Sequence, residues 1–188
     1  MTDVELRGDS GPAAAALVAG GVVDVPDFPK PGVMFKDLAP LFADGQRFRG
    51  VIDEIVGHYT RGGERSFDVV VGVEARGFVI AAAVAYAAGV GVVPVRKAGK
   101  LPRVAHSASY DLEYGQATLE ISEGAFISGQ RVVVVDDVLA TGGTAEATLE
   151  LVEHAGGLVA GLTVLIELSF LDGRERLAGR DVHALLVV

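Results

Sequence analysis

Residues 131–144 read Arg131-Val-Val-Val-Val-Asp-Asp-Val-Leu-Ala-Thr-Gly-Gly-Thr144, and this stretch decides the fold class. The four consecutive valines, Val132 to Val135, are apolar and β-branched, which favours a parallel strand buried on both faces. Ligands of such sheets bind beyond the carboxyl ends of the strands. There the chain provides two adjacent carboxylates, Asp136 and Asp137, and a turn rich in glycine and hydroxyl groups. The stretch therefore predicts a ligand site at the end of a buried strand.

The turn runs into a helical pattern that extends from Ala145 to Val152. Backbone N–H groups at the start of a helix, threonine hydroxyls and the positive end of the helix dipole can together hold a phosphate. Taken alone, Thr-Gly-Gly-Thr is more typical of an ordinary capped turn. A P-loop nucleotide site is excluded, because the chain contains no Gly-x-x-x-x-Gly-Lys-Ser/Thr.

Length and composition narrow the class of protein. The 188 residues favour a single domain, residues 1–188. The absence of Cys excludes disulfides and thiolate catalysis and makes the cytoplasm the expected compartment. The net charge of −9 and pI of about 4.8 argue against nucleic acid or an anionic membrane surface as a partner. The uncharged run Phe78 to Val95 approaches the length of a membrane span, but internal glycines and a proline predict a buried helix and a short strand instead.

Apolar runs alternate with helical stretches, which predicts βαβ units and a mostly parallel central sheet flanked by helices, an α/β fold. The N-terminal extension, residues 1–22, is expected to form a surface helix. Residues 98–109 are polar, contain Gly and Pro, and are predicted to form a flexible lid loop. The predicted strands are Val69 to Val73, Gly91 to Val95, Tyr110 to Glu113, Gln116 to Ile121, Val132 to Val135, Leu158 to Ile166 and His183 to Val188, and the predicted helices are Gln46 to Arg61, Phe78 to Ala88 and Thr144 to Ala155.

A second strand-turn-helix junction places Glu74-Ala75-Arg76 between two glycines. It is typical either of an anion-binding turn or of a plain turn with a surface ion pair. The nearby run Arg96-Lys97-x-x-Lys100 can add cations to a phosphate site, although basic runs are more often solvated faces. The four histidines share no metal-ligand spacing, and no metal role is assigned to them.

Preceded by Asp136-Asp137, the turn resembles the phosphoribosyl-pyrophosphate motif of the type I phosphoribosyltransferases. Further segments are similar to the adenine phosphoribosyltransferase family, whereas hypoxanthine and orotate relatives lack the Phe-Pro-x-Pro-Gly and Leu-Glu-Tyr-Gly segments. The resemblance covers about Val23 to Leu177 and implies a type I phosphoribosyltransferase fold with a small N-terminal hood, residues 23–40. The segments are Asp27-Phe-Pro-Lys-Pro-Gly-Val-Met-Phe-Lys-Asp37, Glu74-Ala-Arg-Gly-Phe78, Arg96-Lys-x-Gly-Lys-Leu-Pro102 and Ser109-Tyr-x-Leu-Glu-Tyr-Gly115.

The resemblance implies transfer of the 5-phosphoribosyl group from phosphoribosyl pyrophosphate to adenine, giving AMP and pyrophosphate. It also implies Mg²⁺ as cofactor, a homodimer, and a non-proline cis peptide at Glu74–Ala75. Glu113 and Arg76 are the implied catalytic residues. The implied phosphoribosyl-pyrophosphate ligands are Arg76, Lys97, Lys100, Asp136, Asp137, Ala140, Thr141, Gly142, Gly143 and Thr144, and the implied adenine ligands are Met34, Phe35, Lys36 and Val138. Asp136 and Asp137 would meet the ribose hydroxyls directly or through metal-bound water, and no direct metal ligand is assigned.

Other interpretations of the same residues stay open at this stage. Phe35 is by composition alone a core residue, and Glu113 is equally typical of an exposed strand carboxylate. A regulator that senses phosphoribosyl pyrophosphate without catalysis would keep the same turn, although it would also need a basic DNA-binding region that the acidic N-terminus does not provide. A third possibility keeps the chemistry and replaces adenine by xanthine or guanine.

Overall fold

The computed structural model of the chain describes residues 6–111 and 116–188. Within them, helices and strands alternate as the sequence predicts, and a short 3₁₀ turn covers Ser169–Leu171. The elements in chain order are α1 Pro12–Ala19, β1 Val23–Pro26, β2 Met34–Asp37, α2 Ala39–Ala43, α3 Gly45–His58, β3 Thr60–Arg61, β4 Glu64–Arg65, β5 Val69–Val73, α4 Arg76–Ala88, β6 Gly91–Lys97, β7 Val104–Asp111, β8 Gln116–Ser122, β9 Arg131–Leu139, α5 Gly143–His154, β10 Leu158–Glu167, α6 Gly173–Arg176 and β11 Val182–Val187.

The main sheet has the strand order β11-β10-β9-β5-β6-β8-β7. The first five of these strands are mutually parallel, and β8 and β7 add an antiparallel hairpin at one edge. The strand order reverses direction between β5 and β9, which are hydrogen-bonded neighbours although β6 and the β7–β8 hairpin separate them in sequence. Ligand sites of parallel sheets lie at such switch points, so this topology places the site beyond the carboxyl ends of β5 and β9.

The central strand β9 is buried on both faces, which confirms the prediction from its valines. Val133 and Val135 pack in one hydrophobic cluster with side chains of α1 to α4. Val132 and Val134 point the other way and pack with α5. Successive strand residues face opposite sides, so a strand between two helical layers needs apolar residues at every position.

The N-terminal extension contains the predicted surface helix, and one face of this helix is buried. Ala14, Ala15 and Val18 of α1 are buried against the sheet edge and α3. The small alanine side chains allow the helix to approach the sheet edge and α3 closely. An alanine-rich sequence is equally typical of an exposed helix, so the composition alone did not predict this packing. The guanidinium of Arg47 donates to the carbonyls of Ala16 and Leu17 near the end of α1, which fixes the helix on the domain.

The predicted lid differs from a loop over its second half. Residues 104–109 belong to β7, which pairs with β8 along its length, so only residues 98–103 separate β6 from β7. The polar composition concealed this strand, because an antiparallel edge strand can face solvent on one side and then needs few apolar residues. A hydrogen bond of 2.8 Å between the hydroxyls of Ser109 and Thr118 crosses the two strands. Residues 112–115, which include Glu113 at the end of one predicted strand, lie outside the described residues.

The apolar run Phe78 to Val95 divides into α4 and β6, as the glycines predict. Gly89 ends α4 with φ 66°, a left-handed conformation that glycine adopts without steric cost. In the part of the chain that the structure describes, no helix is long and apolar enough to cross a membrane.

Candidate active site

A cavity of about 590 Å³ opens at the carboxyl ends of β5 and β9, where the topology predicts a ligand site. Its walls come from parts of the chain that are far apart in sequence: the β1–β2 hairpin, the β5–α4 turn, the end of β6, the β7–β8 hairpin, the β9–α5 turn, and residues in and just after β10. The predicted site residues that line it are Met34, Phe35, Lys36, Arg76, Lys97, Asp136, Asp137, Val138, Ala140, Thr141, Gly142, Gly143 and Thr144.

The turn Ala140–Thr144 connects β9 to α5 and forms the floor of one end of the cavity. Gly142 has φ 83°, and α5 begins at the next residue. The first N–H groups of a helix have no acceptor within the helix and carry partial positive charge. Gly143 and Thr144, the first residues of α5, line the cavity, so the positive end of the helix dipole lies at this end of the cavity.

Asp136 and Asp137 lie near the end of β9 beside this turn, and this pair is called the acidic step. Burial raises the pKa of Asp136 well above its ordinary value, and the charge of Asp137 raises it further. Asp137 is 6% exposed and forms an ion pair with the Arg76 guanidinium. The two acidic side chains therefore have one arginine as their shared charged neighbour, and both line the cavity.

The turn Glu74-Ala75-Arg76 contains the predicted non-proline cis peptide at Glu74–Ala75. Its glutamate has a role that the sequence analysis did not assign. The Glu74 carboxylate accepts from the Lys97 backbone N–H at 2.9 Å and from the Lys100 ammonium at 2.8 Å. The hydrogen bond from Lys100, together with those from Lys97 and Arg96 and against the effect of burial, lowers the pKa of Glu74 to about 2. Glu74 thus gathers the predicted cations at the cavity edge.

Lys97 lines the cavity, whereas Lys100 does not and reaches it only through its contact with Glu74. The signal available in the sequence was the carboxylate at the end of a buried strand. Its partner, Arg96-Lys97-x-x-Lys100, was identified, but the contact between the two depends on the parallel pairing of β5 with β6. Sequence spacing alone does not define that pairing.

The predicted hood is the antiparallel β1–β2 hairpin, which projects over the cavity. Phe35 lines the cavity and packs edge-on against Phe28, with ring centroids 5.0 Å apart. The Arg76 guanidinium lies 5.1 Å from the centroid of the Phe35 ring, in a cation–π contact. Val138 lines the same cavity, and both side chains therefore border one space suited to a flat apolar ring. The ammonium of Lys36 is held by Asp24 at 2.7 Å.

Glu113, the predicted catalytic carboxylate, lies outside the described residues, so its position stays a prediction. The strand that precedes it brings Tyr110 to the cavity wall, and Leu119 of β8 lies there as well. Leu168, after β10, also contributes. These three apolar wall residues were not predicted, because no local motif distinguishes them from other core residues.

Comparisons with known proteins agree with this geometry. A family model described as the phosphoribosyl transferase domain matches residues 42–184. An adenine phosphoribosyltransferase from Salinispora arenicola is 76% identical over 98% of this chain and 96% of its own length. The crystal structure of adenine phosphoribosyltransferase from Thermoanaerobacter pseudethanolicus has a TM-score of 0.85 at 47% identity, covering 91% of this chain and 98% of that one. The Saccharomyces cerevisiae enzyme, complexed with an imino-altritol bisphosphate and adenine, has a TM-score of 0.87 at 39% identity, covering 93% and 99%.

The fold and the domain match together define the class of protein: the chain has the type I phosphoribosyltransferase fold. Asp136, Asp137 and the turn Ala140–Thr144 line its cavity. The sequence identity to adenine phosphoribosyltransferases, which extends along almost the whole chain, defines the family within this class. The chain belongs to the adenine phosphoribosyltransferase family. This confirms the resemblance and the fold class predicted from the sequence.

Proposed function

We infer that the chain transfers the 5-phosphoribosyl group of phosphoribosyl pyrophosphate to adenine, giving AMP and pyrophosphate. The observation that carries this inference is that four surfaces line a single cavity. They are the phosphate turn (Ala140–Thr144), the acidic step (Asp136 and Asp137), the cationic edge (Arg76 and Lys97) and the aromatic hood (Phe35). These four surfaces correspond to the four parts of the reacting pair: 5′-phosphate, ribose hydroxyls, pyrophosphate and purine.

In the proposed reaction a ring nitrogen of adenine forms a bond to the anomeric carbon, the bond to pyrophosphate breaks, and the nitrogen loses its proton. The charge that develops on the leaving pyrophosphate is met by Arg76, Lys97 and Lys100, which stabilise it as preorganised cations do. The turn Ala140–Thr144 holds the 5′-phosphate, and Asp136 and Asp137 accept hydrogen bonds from the ribose hydroxyls. Fixing both reactants in line accounts for a large share of such rate enhancements.

The charges of the free site support an exchange of partners on binding. Arg76 is paired with Asp137, and Lys100 with Glu74. A pyrophosphate group competes for both cations, which frees Asp137 for the ribose. We propose that Met34, Phe35, Lys36 and Val138 bind adenine, with its ring between Phe35 and Val138, and that Glu113 manages the proton of the attacking nitrogen.

Mg²⁺ belongs to the proposal as the ion that neutralises the pyrophosphate. In residues 6–111 and 116–188, no group of three or more His, Asp or Glu side chains can hold a metal. Mg²⁺ is commonly bound through substrate phosphates and only one or two carboxylates, with water completing its shell. Asp136 and Asp137 fit this mode, since both carboxyl groups line the cavity beside the turn Ala140–Thr144. Asp136 and Asp137 would hold the ion through water.

We also propose a homodimer that acts in the cytoplasm, the compartment expected of a chain without cysteine. An exposed apolar face on α4 and β6 supports the dimer. Tyr86 is 90% exposed, and Val79 and Val92 are each 46% exposed. Val79 and Tyr86 lie two helical turns apart and so share one face of α4. Exposed apolar side chains grouped on one helix face are typical of a protein interface, and a second copy of the chain is the proposed occupant of this face.

The reaction is tested by following adenine, AMP and pyrophosphate together in purified protein. We expect AMP and pyrophosphate to form in equal amounts only when adenine, phosphoribosyl pyrophosphate and Mg²⁺ are all present. Excess chelator should stop turnover, and added Mg²⁺ should restore it. Binding of phosphoribosyl pyrophosphate without any AMP formation would instead favour the sensing regulator.

A further inference from the structure

The short helix α6 lies directly behind the phosphate turn, on the side away from the cavity. A Cβ built on Gly173 would stand 3.0 Å from both the carbonyl carbon of Ala140 and the nitrogen of Gly142, with the Ala140 oxygen closer still. Conversely, a Cβ on Gly142 would stand 2.7 Å from the Gly173 carbonyl oxygen. The backbones of the turn and of α6 therefore touch without any side chain between them.

A second contact joins the same two segments. The Arg176 guanidinium forms an ion pair of 2.6 Å with Glu146 in the first turn of α5. The Cβ of Arg176 would lie 3.3 Å from a Cβ on Gly142, so its stem packs against the turn. Arg176 does not line the cavity. It supports the turn from behind and leaves the cavity side to a ligand.

The helix α6 is itself fixed to the core. Arg174 donates to the buried carboxylate of Glu167 at 2.9 Å, to Asp9 at 2.8 Å and to the Val182 carbonyl at 2.9 Å. Because Glu167 is only 6% exposed, this ion pair anchors α6 to the end of β10. Asp9 in turn accepts from the Ala184 N–H at 2.7 Å, which ties the N-terminal extension to the same support.

We propose that α6 is a buttress for the phosphate turn and that Gly173 and Arg176 are positioning residues that set affinity for the 5′-phosphate. This rests on the proposed function, since it deepens the role of the same site. The physical reason is geometric. Backbone N–H groups bind phosphate over a narrow range of distance, and the only room for a Cβ at Gly173 is the space that the turn now occupies. The turn must move toward the cavity and lose its alignment.

The test compares Gly173→Ala with Gly45→Ala, because Gly45 also begins a helix but has open space around its Cβ position. Binding of ribose 5-phosphate is measured by titration calorimetry, and the KM values for phosphoribosyl pyrophosphate and adenine by steady-state kinetics. For Gly173→Ala we expect ribose 5-phosphate affinity to fall at least tenfold and the KM for phosphoribosyl pyrophosphate to rise similarly. The KM for adenine should stay within about twofold, and Gly45→Ala should match the parent protein in all three values.

If Gly173→Ala does not fold, the Arg176→Met variant tests the same proposal. It keeps the stem against Gly142 and removes the ion pair with Glu146, and we expect a threefold to tenfold loss of ribose 5-phosphate affinity that Arg176→Lys largely restores. Parent-like binding by a folded Gly173→Ala, or by Arg176→Met, overturns the buttress and leaves the proposed function intact. A parent protein that neither binds ribose 5-phosphate nor forms AMP overturns the proposed function, and the buttress with it.

Discussion

At the scale of single residues, the site depends on exchangeable charge pairs around one phosphate turn. Arg76 and Lys100 are held by Asp137 and Glu74 in the free protein, so the cations are oriented before any ligand arrives. The Asp-Asp pair and the turn were predictable because they are contiguous in sequence. Glu74 and Gly173 were not, because their roles arise from contacts between segments that only the folded sheet brings together.

Gly143 provides a first test of the turn. It is buried at the start of α5 and lines the cavity, so a side chain there would occupy space that we assign to phosphate. We expect Gly143→Val to weaken binding of phosphoribosyl pyrophosphate by more than tenfold while the melting temperature changes little. Normal binding, or loss of the fold without a separate loss of affinity, contradicts the assignment of this turn to phosphate.

Glu113 is the residue whose proposed role concerns the chemical step. Glu113→Gln keeps the shape of the side chain and removes its charge, and we expect kcat to fall roughly 10²–10⁴-fold, the range typical of a positioned acid or base. Adenine binding should change much less. Single-turnover measurement separates chemistry from product release. Unchanged chemistry in this variant would show that Glu113 is a structural strand carboxylate.

At the scale of elements, the βαβ units were predictable because buried strands and amphipathic helices carry strong local patterns. The strand β7 was not predictable from its sequence. Its backbone groups are paired with β8, and as an edge strand it needs few apolar residues. The burial of one face of α1 was not predicted either, because alanine is common both in core contacts and on exposed helix faces. His58 at the end of α3 stacks on His183 of β11. This contact depends on the packing of the two elements, which the spacing of the histidines in the sequence does not predict.

That contact predicts how stability depends on pH. His183 is 1% exposed, stacks on His58 at 3.7 Å and bonds to the Ser10 hydroxyl at 2.7 Å. Burial, and then the charge of His58, lower the pKa of His183 from 6.5 to about 4, although Asp9, Glu54 and Asp181 act in the opposite direction. Because the fold favours neutral His183, its contribution is present above pH 6.5 and is lost as the pH falls toward 4.

The free energy of unfolding should therefore decrease between pH 6.5 and 4 by an amount that includes roughly 3 kcal/mol from this histidine. His183→Gln, which can keep a hydrogen bond to Ser10, should be less stable at neutral pH but show a shallower decrease. Chemical denaturation at several pH values measures both slopes. Equal slopes in the two proteins would mean that His183 does not titrate in this range.

At the scale of the whole molecule, the apolar face of α4 and β6 is a surface that a single chain leaves exposed. Burying a charge in an interface of this kind is costly unless it finds a partner. Tyr86→Arg should therefore convert the proposed dimer to a monomer, as measured by sedimentation velocity over a range of concentrations. The fold should be unaffected, because Tyr86 is almost fully exposed. A parent protein that is monomeric at all concentrations, or a dimer that survives the substitution, would place the interface elsewhere or remove it.

The substrate claim is tested most directly by the purine that the cavity accepts. Initial rates are measured with phosphoribosyl pyrophosphate and Mg²⁺ held constant and with adenine, hypoxanthine, guanine or xanthine supplied in parallel, each product being separated by chromatography. We predict AMP from adenine, with kcat/KM for the other three purines at least about 100-fold lower. Preferred turnover of guanine, xanthine or hypoxanthine, or no nucleotide from any of the four, would contradict it.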